Sequence, residues 1–285
     1  MAMSCPVLHA ESEGVNEVKA GAISIPVLRH TFGRFIYWSG MPLAALLQLA
    51  HPAVARGVCK HSRFRQDPYS RCHRSIVFLV AVMYGTEGER EAICGVVRRQ
   101  HGRVKGVGYE ANDAELQRWV AATGLVATVK VHETFLGAME QHEQEALCVE
   151  FGMFGTQLGM PASAWFSSWG EFEHYWTGMV QELKVSDEGR ELGRMILYEL
   201  LPWYLGWVQW VVRIFVAAWL PEKFARGFGL ERGMVACMSF RVLAGLGWIL
   251  YLLVPVVVWR MATLVLVHDM QRVAAEVVKS QRWSI

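Results

Sequence analysis

The alternation of apolar and polar residues that marks a half-buried strand is almost missing from these 285 residues, which excludes an all-β or α/β architecture. Charge is scarce as well. Asp, Glu, Lys and Arg make up 19% of the chain, against about 25% in ordinary soluble domains. The formal net charge is +2, and no run of Lys and Arg exceeds a few residues; together these exclude a nucleic-acid partner. The six cysteines (Cys5, Cys59, Cys72, Cys94, Cys148, Cys237) contain no CxxC pair, and in a chain this long they read as reduced, mostly buried thiols. The opening stretch MAMSCPVLHAESEGVNEVKAG lacks a basic start followed by an apolar run. The expectation is therefore an intracellular protein, or one bound at the cytosolic side of a membrane such as the endoplasmic reticulum.

Familiar catalytic signatures are missing too. There is no GxSxG elbow, no phosphate-binding Walker loop and no GxGxxG, so hydrolase, nucleoside-triphosphate and dinucleotide chemistry have no support. Ten histidines are present without an HExxH pair, and the one HxE, His9-Ala10-Glu11, lies in a polar lead. Cys59 with His61 and Cys72 with His73 are close in sequence but lack the paired spacing of a zinc module. No internal repeat or low-complexity segment occurs.

What remains is apolar and helical: hydrophobic residues make up 53% of the chain and Trp occurs 12 times. Residues 1–24 read as a polar lead and residues 25–285 as one all-α domain. PLAALLQLAHPAV is a helix that Pro52 ends near His51; HSRFRQDPYSR is a polar loop, and RCHRSIVFLVAVMYGT a helix closed by Gly85. In EGEREAICGVVRRQHGRVKG, the residues Ile93, Val97, His101 and Val104 fall on one face, and Gly106 is expected to end the helix. A further helix starts at Asn112 or Asp113, which serves as its N-cap. The C-terminal region 197–267 is very apolar. Its run Val242 to Trp259 has 18 residues without a charge, the lower limit for a membrane span, interrupted by Pro255.

Two constellations carry candidate chemistry. His101 has no second histidine within a turn, which argues against a metal pair, and two readings stay open: a satisfied structural histidine, or the single axial ligand that haem iron requires. The second reading gives the neighbours roles. Lys105, one turn beyond, would meet a haem propionate, and Val97 and Val104 would pack on the porphyrin. Arg71, Arg74 and Ser75 share a helix face at i, i+3 and i, i+4. Two cations near a helix N-terminus oppose the macrodipole and gain most when an anion or ligand accompanies them; the plain alternative is a solvated first turn.

The ordered blocks LLQLAHPAVARGVCKHS, DPYSRCHRSIVFLVAVMYGT, RRQHGRVKGVGYEANDAELQRWVAAT, FGTQLGMPASAW with FEHYWTGM, and WLPEKFARGFGL resemble the haem b oxygenase family that includes latex clearing protein and the mycophenolic-acid-pathway oxygenase. The resemblance covers roughly residues 30–235. It implies an all-helical domain enclosing a haem pocket, with His101 as proximal ligand to iron. Where the family's rubber oxygenases carry R-x-x-K-T, this chain reads Arg71-Cys72-His73-Arg74-Ser75. Arginine stays protonated, so a lysine-like sixth ligand is not expected; Arg74 would hydrogen-bond oxygen or peroxide at an open or water-bound distal side. His51 matches another characteristic family position, where it supports the pocket or ends a helix.

The resemblance thus implies a haem b-dependent oxidoreductase, an oxygenase using O2 or peroxide on a hydrophobic small molecule, isoprenoid-like or from secondary-metabolite biosynthesis. The competing readings are a non-catalytic helical protein that binds lipid or membrane, and a non-haem metalloenzyme.

Overall fold

The computed structural model describes residues 24–230 and 232–280. Of the polar lead, residues 1–23 lie outside the described residues, and so do His9, Glu11 and Cys5. Thirteen α-helices account for nearly all of the regular structure described. They are α1 Pro26–Phe32, α2 Met41–Ala50, α3 Pro52–His61, α4 Pro68–Tyr84, α5 Glu87–His101, α6 Ala114–Phe135, α7 Gln141–Thr156, α8 Trp169–Glu182, α9 Asp187–Tyr198, α10 Gly206–Trp219, α11 Glu222–Gly227, α12 Met234–Leu253 and α13 Val256–Ser280. One two-stranded hairpin, β1 Lys105–Gly106 and β2 Tyr109–Glu110, pairs Lys105 with Glu110. Gly108, at φ +76, supplies the left-handed turn residue that an L side chain would resist.

Local chemistry sets where the helices start. Asp113 accepts from the N–H groups of Glu115 and Leu116 to open α6, and Thr86 with Glu89 forms a capping box at α5. Pro52 ends α2 at Ala50 and stands first in α3, while His51 between them is extended at φ −83, ψ 118.

Helix α6 is the central element. Twelve of its 22 residues are buried, and α2, α7, α12 and the 3-10 turn Phe35–Gly40 pack around it. Beside this core, α4 and α5 form a helical hairpin joined by Gly85 and Thr86, and α13 lies across both. Met270, Val273, Ala274 and Val277 of α13 are buried there. A fused i, i+3, i+4, i+7 stripe of this kind is what holds an amphipathic helix down.

Three sequence expectations change. Helix α4 begins at Pro68, not Arg71, because Asp67 caps it by accepting from the Ser70 N–H at 3.0 Å; Arg71 thus ends the first turn and Arg74 the second. Helix α5 ends at His101, not near Gly106, since Gly102 takes the cap and its N–H returns to the Arg98 carbonyl. The uncharged run 242–259 is not one helix: it divides at Val254 and Pro255 between α12 and α13. Among the described residues, the single helix long and apolar enough to cross a membrane is instead Met234–Leu253; Asp187–Tyr198 and Trp203–Trp219 pass the same test only as a pair bent by 82°.

Candidate active site

Because a two-residue link joins α4 to α5, the two run antiparallel, and the first turns of α4 lie beside the last turn of α5. That topology alone brings Arg71 to His101 across thirty positions of sequence. The electrostatics agree. The His101 pKa is pushed down to about 4, first by burial and then by the positive charge of Arg71. Its imidazole is therefore neutral at physiological pH, with a lone pair available. Its Nδ1 is buried and has no hydrogen-bonding partner among the described residues, an omission that native interiors rarely tolerate.

Arg71 donates from Nη1 to the Ser75 Oγ at 2.5 Å, one turn along α4, and the Ser75 hydroxyl is also 3.3 Å from the Arg71 carbonyl. Desolvation lowers the Arg71 pKa, Cys72 works against that, and Arg74 adds to the lowering. No carboxylate among the described residues forms an ion pair with Arg71. Arg74 lies within electrostatic reach of both Arg71 and Asp67. The Asp67 carboxyl is held below the usual range, first by the Ser70 hydroxyl and N–H, with Arg63 and Arg74 contributing less.

One further feature separates this end of α4 from the rest of the helix. Every residue from Ser70 to Ile76 is half-buried, whereas Val80 to Met83 are all buried. A helix packed on one side shows alternating buried and exposed positions. These two turns, which carry Arg71, Arg74 and Ser75 beside His101, have no closed face.

The other sequence-predicted residues fall around this centre unevenly. Val97 lies one turn before His101 on α5, half-buried against the core. Val104 and Lys105 leave the helix face on which the spacing placed them, because α5 stops at His101. Val104 packs toward α3, where a Cβ on Gly57 would meet it at 3.4 Å, and Lys105 is exposed on β1. His51 caps α3: its Nδ1 accepts from the Ala53 N–H at 3.2 Å, and burial lowers its pKa against the pull of Asp113. Its ring lies 6.2 Å from that of Trp119, which stacks on Trp176 at 5.3 Å.

Two contacts near the site carry no sequence signal. His73 Nε2 lies 2.5 Å from the Asp269 carboxylate of α13, a tie between residues 196 positions apart. His61 meets the Tyr109 hydroxyl at 2.9 Å and so fixes the small hairpin to α3.

Two uncharacterised mycobacterial proteins are similar to this chain, one from Mycobacterium bovis and one from Mycobacterium tuberculosis. Each is 29% identical over 197 residues, covering 65% of this chain and 77% of its own length. No solved structure gives a significant match. Residues 29–247, which include every candidate site residue, match the family described as ER-bound oxygenase mpaB/B'/rubber oxygenase, catalytic domain. With well over half of its 285 residues matched and an all-α single-domain fold around them, the chain belongs to this oxygenase family.

Proposed function

We propose that the chain is a haem b-dependent oxygenase acting with O2 or peroxide on a hydrophobic small molecule, isoprenoid-like or a secondary metabolite. The observation that carries this reading is His101: a neutral imidazole with a partnerless buried nitrogen, beside a half-buried stretch of α4 and the Arg71 cation. The residues present fit the group. Among the described residues no three His, Cys, Asp or Glu side chains gather as a protein-built metal site needs. A porphyrin brings four nitrogens of its own and asks one axial ligand of the protein. His101 would hold the iron, and the guanidinium of Arg71, which has no carboxylate partner, suits an anionic group such as a propionate.

When bound, haem b would supply the redox-active iron that activates oxygen or peroxide. The chain's own residues do the rest. Arg71 and Arg74 stay protonated and donate hydrogen bonds without ligating metal. Ser75 fixes the direction of Arg71, and the neighbouring Cys72, whose thiol burial pushes up in pKa, stays a neutral thiol. The stacked Trp119 and Trp176 close the interior near His51 with apolar surface that excludes water. An intracellular setting, cytoplasmic or peripheral to a membrane, belongs to the same reading; the five described cysteines are all free, as a reducing compartment keeps them.

A second reading, a non-catalytic lipid- or membrane-binding protein, draws on the exposed apolar helix α12, none of whose residues is buried. The absorption spectrum of the purified protein separates the two. A Soret band that shifts with dithionite and carbon monoxide supports the oxygenase; purified protein that neither carries nor takes up haem overturns it.

A further inference from the structure

The helices α10, α12 and α13 leave a large apolar surface facing outward. Along α12, Phe240, Leu243, Ala244, Gly247 and Tyr251 form a half-buried inner stripe. Phe240 meets the Phe215 ring of α10 at 5.4 Å, and Gly247 lies against Phe135 of α6. The helix therefore lies lengthwise on the body of the protein. Its opposite face, Met238, Val242, Leu246, Leu250 and Leu253, is exposed throughout. The first half of α13 continues it with Val257, Met261, Leu264 and Val265, and Trp203, Tyr204, Trp207 and Trp210 stand out beside it, Trp203 at 91% exposure. Soluble monomers rarely expose a contiguous apolar patch beyond about 300–600 Å², and this surface draws on more than a dozen large side chains.

Charge names the occupant. Residues 232–268 contain Arg232, Arg241 and Arg260 and no Asp or Glu, and none of the three forms an ion pair with a described carboxylate. Arg232 and Arg241 line an open groove of about 680 Å³ along the flank of α12, together with Glu222 and the Lys130–Glu133 ion pair, so its unpaired cations are the two arginines. Apolar side chains in the middle, aromatic side chains at one edge and unneutralised cations at the margin are the composition of a surface that sits in the interface of an anionic bilayer.

We infer that this face docks in the plane of one leaflet of an anionic phospholipid membrane, with α12 lying parallel to the surface and the arginine-lined groove at the level of the headgroups. A spanning arrangement of α12 would separate its inner stripe from α10 and α6, which hold it along its length. The inference deepens the membrane-peripheral setting proposed above and stands independently of the haem reading, because it rests on the outer surface alone.

The test is vesicle flotation of the full chain with phosphatidylcholine alone and with phosphatidylcholine containing phosphatidylserine. Binding is expected to be stronger on the anionic vesicles and to weaken with salt. The double variant Leu246→Glu, Leu250→Glu should lower partitioning at least tenfold on both vesicle types, in keeping with the loss of two inserted side chains. Arg241→Gln with Arg260→Gln should lower it about tenfold or more on anionic vesicles only. Unchanged far-UV melting curves establish that each variant is folded. Tryptophan quenching by brominated lipids should be strongest for shallow bromines, about 5–10 Å below the headgroup boundary. Three results overturn the proposal: equal binding to neutral and anionic vesicles, strongest quenching from the bilayer centre, or no vesicle binding by a protein that instead forms a dimer blocked by the Leu246 and Leu250 substitutions. A missing Soret band would overturn the oxygenase reading and leave this one standing.

Discussion

Replacing Met270 by alanine should destabilise the protein much more than neutralising its neighbour Asp269, although Asp269 makes the shorter and more conspicuous contacts. Met270 is 0% exposed where α13 crosses the α4–α5 hairpin that carries Arg71 and His101. Truncating a fully buried Met, Leu or Ile costs about 2–5 kcal/mol, the spread reflecting how far the cavity collapses. Asp269 lies 2.5 Å from His73 and 2.7 Å from Arg272, with its own side chain 27% exposed and that of Arg272 at 66%. Ion pairs this close to water contribute roughly 0.2–1 kcal/mol. For a chain of 285 residues the unfolding entropy is about 0.6 kcal/mol per kelvin, so Met270→Ala should lower Tm by about 3–8 °C and Asp269→Asn, which loses two such pairs, by about 3 °C at most. Circular dichroism melts at 222 nm measure both.

The pH dependence gives this comparison a second arm. Burial works to raise the Asp269 pKa, but hydrogen bonds from Arg272 and His73 outweigh it, and the net position is below the ordinary carboxylate value. A depressed carboxylate stabilises the fold above its unfolded pKa and loses that contribution as pH falls through the folded one. The gap between parent and Asp269→Asn should therefore be present at neutral pH and close below about pH 4. An Asp269→Asn loss larger than that of Met270→Ala would refute the view that packing, not the ion pair, holds α13 on the hairpin.

Three further outcomes follow from the same geometry. Gly193→Ala places a Cβ 2.6 Å from the Phe228 ring and 3.1 Å from Leu46; the overpacking, about 1–3 kcal/mol, exceeds the gain of about 1 kcal/mol in helix propensity, so the urea midpoint should fall. An unchanged or raised midpoint would show that the Gly193 contact is not close. Ser75→Ala removes the hydroxyl that fixes Arg71 and should lower stability by about 1 kcal/mol in urea titration. Arg71→Met should keep the far-UV spectrum and the Soret band yet reduce oxygen consumption with an apolar substrate about a hundredfold, the scale for losing one pre-set donor; undiminished consumption would remove Arg71 from the site.

Much of the fold is legible where one residue settles a local question. Pro52 ends α2, Asp113 caps α6 and Gly85 closes α4, each by a backbone constraint that needs no partner elsewhere. The pairing of Arg71 with Ser75 is legible for the same reason, being a helical i, i+4 relation. The end of α5 is not: the sequence points to Gly106, whereas the helix stops at Gly102 because of the small hairpin that Gly108 allows and that His61 and Tyr109 tie to α3. This is why Val104 and Lys105 were expected on the His101 face and lie elsewhere. The His73–Asp269 tie had no local signal at all, since it exists only after α13 folds back across the hairpin.

The most direct test of the account is the absorption spectrum of the His101→Ala protein beside the parent. The account predicts a Soret band in the parent, its loss in the variant with the helical far-UV spectrum intact, and partial return of the band on adding free imidazole as a replacement ligand. Full retention of haem by a folded His101→Ala protein would contradict the assignment of His101 as the residue that holds the iron.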